Sequence, residues 1–516
     1  MKHDGAISLR SPIIVLLFAF ILRLIGLNAR PLWYDEAFAA LFAEKGFRAM
    51  LAGTLTPVAG ASADVHPIAY YTALDGWMRA AGQSPFAARM LSVFAGAAAV
   101  AAAYGIGRRL FGKRAAIAGM VIAAFSPFQV HYAQEARMYA GLALFCSLTV
   151  LFYLRARSIR HPLSAIRYWL VVAVFSSAAM YMHNLAVFFL LAFGLSTLPR
   201  PKLFAKVAAA GAAAFALWLP WFLNVPGQFA KLRQAYWVTR PDFVTLLQSA
   251  MVYHAGEELL AARMWLTLAL FTAMALPFML LFQLFKTRQG AESRRAAWLT
   301  ALAAGTPTLL FLASLYQPVY IQRALLPASL MYSIVLGWLF SPPMSDANGG
   351  SWRGAMPAPV RWLLAALLGV TSVAGLWAHY TFAQFPRPDF PAAAAFLRQN
   401  AEPGDVILHS NKLTFFPMHY YDRGLPQSFL ADPPGSGSDT LALPTQEVLG
   451  LFAVSDVETA VGGAGRVWFI VFDRAIEEYA PDTHPHLAWL ADHFLLAAIT
   501  HFDDLAVHEF VSLGSH

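Results

Sequence analysis

The chain is poor in the residues that mark an aqueous or disulfide-bonded protein. Its 516 residues include one cysteine, Cys146, which lies in an apolar run. No intrachain disulfide can form, and a lone thiol in such a run reads as packing. Charged residues make up only 13% of the chain, about half the share in a soluble domain. An ordinary water-soluble fold is thereby excluded. There is no Gly-x-x-x-x-Gly-Lys-Ser/Thr loop to support ATP-driven transport, and no Cys/His set with zinc-site spacing. No small-residue cleavage site follows Lys2, Arg10 and the first apolar stretch, so that stretch is expected to be a retained helix rather than a signal peptide.

What fills the space is hydrocarbon: 58% of residues are hydrophobic and the mean hydropathy is +0.53. Runs long enough to cross a bilayer fall at about Ser11–Leu27, Phe86–Ile106, Ala115–Val130, Tyr139–Leu154, Tyr168–Tyr181, Leu185–Leu198, Leu203–Phe222, Met264–Phe285, Ala296–Leu315, Ala324–Phe340 and Trp362–Phe382. The expected architecture is a polytopic α-helical membrane protein of about 11 transmembrane helices, residues 1–384, with residues 31–85 as an interfacial first outer loop. Residues 385–516 are expected to form a small, soluble α/β domain outside the cytoplasm. Pro391–Asn400 and His486–Phe494 read as helices there, and Asp405–Leu408 and Arg466–Phe472 as strands.

The net charge of +8 divides unevenly, as +19 over residues 1–384 and −11 over residues 385–516. Basic residues in a membrane part are explained by orientation signals and anionic lipid, so no nucleic-acid partner is implied. The N-terminus and alternate loops hold 19 Lys/Arg and three acids. They mark the cytoplasmic side and put Asp35, Glu36 and the acidic tail on the opposite face. The expected location is an inner (plasma) membrane, with the tail extracytoplasmic or periplasmic.

Asp35 and Glu36 follow the first apolar run. Ionised carboxylates beside hydrocarbon must find water, a cation or a reacting proton. Two readings stand: general-base chemistry at the interface, or favourable acids at a helix N-terminus. With these residues, the segment His66-Pro67-Ile68-Ala69-Tyr70-Tyr71, then Gly107-Arg108-Arg109-Leu110-Phe111-Gly112, then Ser126-Pro127-Phe128, and Tyr132-Ala133-Gln134-Glu135-Ala136-Arg137-Met138-Tyr139 resemble, in order, the polytopic glycosyltransferases of the GT-C fold. They are similar to the protein O-mannosyltransferase and lipid A aminoarabinose transferase branch. Gln322-Arg323-Ala324-Leu325-Leu326-Pro327 is a weaker echo.

The resemblance implies an enzyme that takes a sugar from a polyprenyl-phosphate carrier and passes it, with inversion, to a glycan, lipid or protein hydroxyl. The candidate catalytic residues are Asp35 as base, with Glu36 and Glu135 assisting. The candidate binding residues are His66, Arg89, Arg137, Tyr139 and Arg323, with Arg137 and Arg323 placed to meet phosphate. Each has a plainer reading: Arg323 and Arg89 as snorkelling cations, His66 as a structural histidine and Tyr139 as an aromatic-belt residue. Acids at an oxygen-rich site would suit Mg²⁺ or Mn²⁺, but two or three carboxylates do not establish a metal. The competing reading from another class is a transporter or flippase for a lipid-linked sugar, although no paired halves are visible.

Overall fold

The structure is a computed structural model and describes residues 10–234, 237–261, 263–288, 290–341, 356–381, 388–433 and 440–513. The expected domain boundary at 384/385 lies outside the described residues. Among them, eight helices are long and apolar enough to cross a membrane. One, Pro85–Phe125, is broken at Gly112, whose φ of 83° ends one helix and starts another. The shorter helices Arg10–Leu24 and Ala186–Leu195 lie at two further expected spans. The chain is a multi-pass membrane protein.

Two compact units emerge. The first comprises residues 1–27, 89–223 and 238–384; the second comprises 28–88, 224–237 and 385–516. The segment 31–85, which sequence groups with the membrane part, thus packs with the tail. The helix Val225–Gln234 belongs to the same unit.

In the membrane unit the helix Leu326–Phe340 is buried along almost its whole length, whereas helices such as Pro201–Phe222 and Arg263–Lys286 leave Leu, Phe and Met side chains exposed. A helix apolar all round and buried marks the middle of a bundle. Small residues allow the closest approach: a methyl added at Gly337 would run into the backbone of Gly119 on the Pro85–Phe125 helix. Without a hydrophobic force between helices in lipid, such contacts supply the attraction.

The second unit is built on a six-stranded mixed sheet in the order Ala453–Val454, Gln427–Leu430, Val406–His409, Arg466–Phe472, Leu505–Ser512, Phe494–Phe502. The first four strands are parallel; Leu505–Ser512 pairs antiparallel with Arg466–Phe472 on one side and with Phe494–Phe502 on the other. Strand alternation splits its core in two. Ile407, Trp468 and Ile470 face the helix Phe390–Asn400, while Leu408, Val467, Phe469 and Val471 join Val457 and Leu490 of two other helices. Both faces are covered, which explains why Arg466–Phe472 reads as a continuous apolar run.

The first outer segment adds the helices Tyr34–Ala43, Phe47–Leu55 and Ala69–Ala81. The first packs against Lys412–Tyr421 of the tail: Tyr34 and Phe38 meet the ring of Phe416 at 5.8 and 5.9 Å, and Phe42 meets Tyr71 at 5.5 Å. Buried aromatics of this size each contribute about 1.5–3 kcal/mol. Polar ties join the same segments. Leu32 N–H donates to Tyr421 Oη at 2.8 Å, Arg423 grips Glu44 with two bonds of 2.9 and 3.1 Å, and Thr445 Oγ1 donates to the Gly53 carbonyl.

Candidate active site

The sequence candidates divide between the units. In the second, Asp35 and Glu36 occupy the first turn of the Tyr34–Ala43 helix, which starts without a side-chain cap. Acids there are favoured by the exposed N–H groups and the helix dipole, so the plainer reading holds locally. It does not exhaust the pair, because the two differ: Glu36 is buried and Asp35 is half-buried. Asp35 can therefore meet water or a substrate hydroxyl. His66 is also half-buried, with Nδ1 3.1 Å from Asp64 Oδ1, and Asp64 is tied by its own N–H to the Thr54 carbonyl.

In the membrane unit the other candidates gather around one short element. Ser126 caps the helix Pro127–Ala133 by accepting from Gln129 N–H, and Pro127 occupies its first turn, where no N–H is needed. The helix is wholly buried. It stops at a turn in which Arg137 N–H donates to the Glu135 carbonyl at 2.8 Å, and Tyr139 opens the next span. Glu135, Arg137 and Tyr139 are all buried.

Arg323, in the 3₁₀ turn Gln322–Leu325, lies with its guanidinium carbon 5.3 Å from the Tyr139 ring centre. Such cation–π contacts are worth about 0.5–2 kcal/mol. Arg137 is held at its backbone, where its carbonyl accepts from Ser92 Oγ at 3.1 Å. Arg89 has a structural contact, donating Nη1–H to the Leu27 carbonyl at 2.8 Å. Tyr139 also meets the rings of Tyr132 and His183 at 5.3 and 5.7 Å. Its aromatic-belt reading becomes a place within a buried cluster.

Sequence reasoning misses the residues that bind this region together. His131 and Glu135 are one helical turn apart, with His131 Nε2 3.2 Å from Glu135 Oε1. The other nitrogen, His131 Nδ1, lies 2.7 Å from Glu258 Oε1, and His379 Nδ1 lies at the same distance from that oxygen. His379 Nε2 lies 2.7 Å from Gln134 Oε1, whose own amide nitrogen donates to the carbonyls of Arg23 and Ile25. Tyr132 Oη donates to Glu257 Oε1 at 2.7 Å.

Burial alone would lower the His131 pKa, but Glu258 and Glu135 outweigh it and raise it to about 10. Burial pushes Glu258 up, yet His131 and His379 hold it well below the carboxylate range.

Backbone freedom places Glu257 and Glu258. Gly256 ends the helix Phe243–Ala255 at φ 76°, and a methyl on it would stand 2.8 Å from Pro127 Cβ. Gly375 likewise lets the last membrane helix touch the Ala255 carbonyl oxygen. Both glycines bring Glu258 and His379 close to the Pro127–Ala133 helix. The sequence signal that points to them is the cost of charge in apolar surroundings: Glu257-Glu258, His131 and His379 are ionisable residues in or beside membrane runs.

Comparison with known proteins bears on the fold. Residues 65–223 match the dolichyl-phosphate-mannose-protein mannosyltransferase family. By fold, the chain is similar to ArnT from Cupriavidus metallidurans bound to undecaprenyl phosphate, with a TM-score of 0.59, 14% identity and coverage of 98% of both chains. The apo form of ArnT gives a TM-score of 0.61 at 14% identity, covering 96% of this chain and 97% of that one. The apo oligosaccharyltransferase of Archaeoglobus fulgidus gives 0.54 at 13% identity, covering 92% of this chain and 70% of that one. No curated relative matches by sequence.

Proposed function

We propose that this chain, whose fold is that of the GT-C glycosyltransferases, moves a sugar from a polyprenyl-phosphate carrier to an acceptor hydroxyl at the extracytoplasmic face of an inner membrane. The observation that carries this reading is a fold match along 98% of both chains to a protein bound to undecaprenyl phosphate. The dolichyl-phosphate family match to residues 65–223 supports it, because that stretch contains His66, Arg89, Glu135, Arg137 and Tyr139. No observation favours the transporter reading.

In the proposed reaction, the half-buried Asp35 accepts the proton of the acceptor hydroxyl. The acceptor oxygen bonds to the sugar C1 as the C1–O bond to phosphate breaks, with inversion. The electron pair leaves on the polyprenyl phosphate, whose charge Arg323 and Arg137 bind. Glu36 and Glu135 orient these groups, and His66, Arg89 and Tyr139 contribute to substrate binding. The acceptor is a glycan, a lipid or a protein hydroxyl, presented to the soluble tail. The experiment is incubation of the purified full chain with radiolabelled polyprenyl-phosphate sugars, followed by extraction of free carrier and labelled acceptor. Free carrier appearing in step with a glycosylated acceptor is expected; donor recovered intact would end the reading.

A further inference from the structure

His131, Glu258 and His379 come from three elements, at positions 131, 258 and 379: the helix Pro127–Ala133, the turn Glu258–Ala261 and the last membrane helix. One ligand-type atom from each lies within 4.8 Å of the others, and all three residues are buried. The hydrogen-bond chemistry around them asks for a cation. Gln134 donates its amide N–H groups to two backbone carbonyls, which leaves its Oε1 as the acceptor for His379 Nε2–H. His131 Nε2 likewise faces a carboxylate, Glu135.

With Nε2 carrying the hydrogen in each ring, a neutral imidazole turns the Nδ1 lone pair toward Glu258 Oε1, an acceptor. Two lone pairs cannot both face a carboxylate oxygen at 2.7 Å without positive charge between them. Extra protons on both rings meet the requirement; so does one metal ion. The pattern around the rings matches how metal-bound histidines are held, the far nitrogen donating to a carboxylate or carbonyl oxygen.

We propose that His131 Nδ1, Glu258 and His379 Nδ1 form a transition-metal site of the Zn²⁺ class, with a fourth position open to water. Two imidazoles and one carboxylate suit Zn²⁺ better than Mg²⁺ or Mn²⁺, which prefer all-oxygen shells. Tetrahedral donors around zinc stand about 3.3 Å apart, so each histidine nitrogen now 2.7 Å from Glu258 Oε1 needs to part from it by about 0.6 Å. The ion clips three distant segments together and, through His131, fixes Glu135. The site is independent of which sugar is moved, or of whether sugar is moved at all.

The test uses the full chain purified in detergent on a tag without histidines. Zn²⁺ is titrated in a chelator buffer and metal content is read by elemental mass spectrometry, with the exposed His161→Gln variant as background. One zinc per chain is expected in the wild type and in His161→Gln. Glu258→Gln and His379→Gln are expected to lose it. Gln134→Leu is expected to weaken binding by about 10–100-fold, the usual effect of removing a partner of a ligating histidine.

Equal zinc in the wild type and the two ligand variants would overturn the proposal, as would a wild type that takes up none. If the variants do not fold, the wild type alone decides. Its Co²⁺ form should show the visible absorption of a tetrahedral site, and X-ray absorption of the zinc form should show two imidazoles. A spectrum of solvent-coordinated Co²⁺ rejects the site.

Discussion

Acidifying the medium from pH 7 to pH 5 should loosen the six-stranded sheet, and most of one step in that loss should trace to His409. This residue ends the Val406–His409 strand with 0% of its surface exposed. Its Nε2 is held 2.8 Å from Gln427 Oε1 and its Nδ1 3.1 Å from Thr414 Oγ1. Burial, with a smaller push from His419, lowers its pKa from 6.5 to about 3. The unfolded chain therefore binds a proton below pH 6.5 that the folded chain refuses until about pH 3. Stability is complete above 6.5 and falls as pH drops through that window.

At 1.36 kcal/mol per pKa unit, the 1.5 units between pH 6.5 and pH 5 cost about 2 kcal/mol. That is about a 30-fold rise in the open population. Native-state hydrogen exchange in detergent, corrected for intrinsic rates, reads it on sheet amides such as Ser410, which bonds the Ile470 carbonyl at 2.8 Å. His409→Gln should remove about 2 kcal/mol of the pH dependence. His484, His486 and His508, also lowered by burial, add losses of the same sign, so the variant keeps the part of the slope that they contribute. Identical loss of protection in the wild type and His409→Gln would refute the reasoning.

Further outcomes are expected at the membrane and the site. Asp35→Asn keeps the shape and removes the base, so kcat for sugar transfer should fall by about 10²–10⁴-fold; an unchanged kcat removes Asp35 from the role. Arg323→Lys keeps charge but loses the planar fork, and should raise the donor KM more than it lowers kcat. Tyr139→Leu should lower the thermal midpoint by removing about 1 kcal/mol of cation–π and ring packing, read by a detergent melt. Gly375→Val drives a side chain into the Ala255 carbonyl, at a cost of about 3 kcal/mol, seen as loss of a monodisperse peak on size exclusion.

Elements that obey one strong local rule are legible in the amino-acid order alone. The apolar runs mark the membrane helices, because length and composition by themselves set a span. Arg466–Phe472 has the bounds its residues imply, since a strand covered on both faces is apolar throughout. Phe494–Phe502 is harder to read. It exposes Leu495, Leu496 and Ile499 on an edge strand, so its apolar residues carry no period-two signal, and its start resembles the end of a helix.

The Lys412–Tyr421 helix contains Pro417 and two adjacent aromatic pairs, which hide its periodicity. The His131–Glu258–His379 cluster escapes sequence reasoning for a different reason. Its members are more than a hundred residues apart, and motif spacing sees only ligands that share a hairpin or a helix. Glu135 and Arg323 stand out because charge beside hydrocarbon is costly wherever it occurs.

The helix that carries Asp35 and Glu36 finds its packing surface very late in synthesis. Tyr421, which receives the Leu32 N–H, leaves the ribosome 389 residues afterwards, roughly 20–80 s later at ordinary elongation rates. During that interval the first outer helix has Tyr71 beside it but neither the Phe416 ring nor its polar clasp. A chain cut short before Lys412 would insert its spans, yet its acidic pair would stand on an unsupported helix, so truncated products should be inert and open to proteolysis.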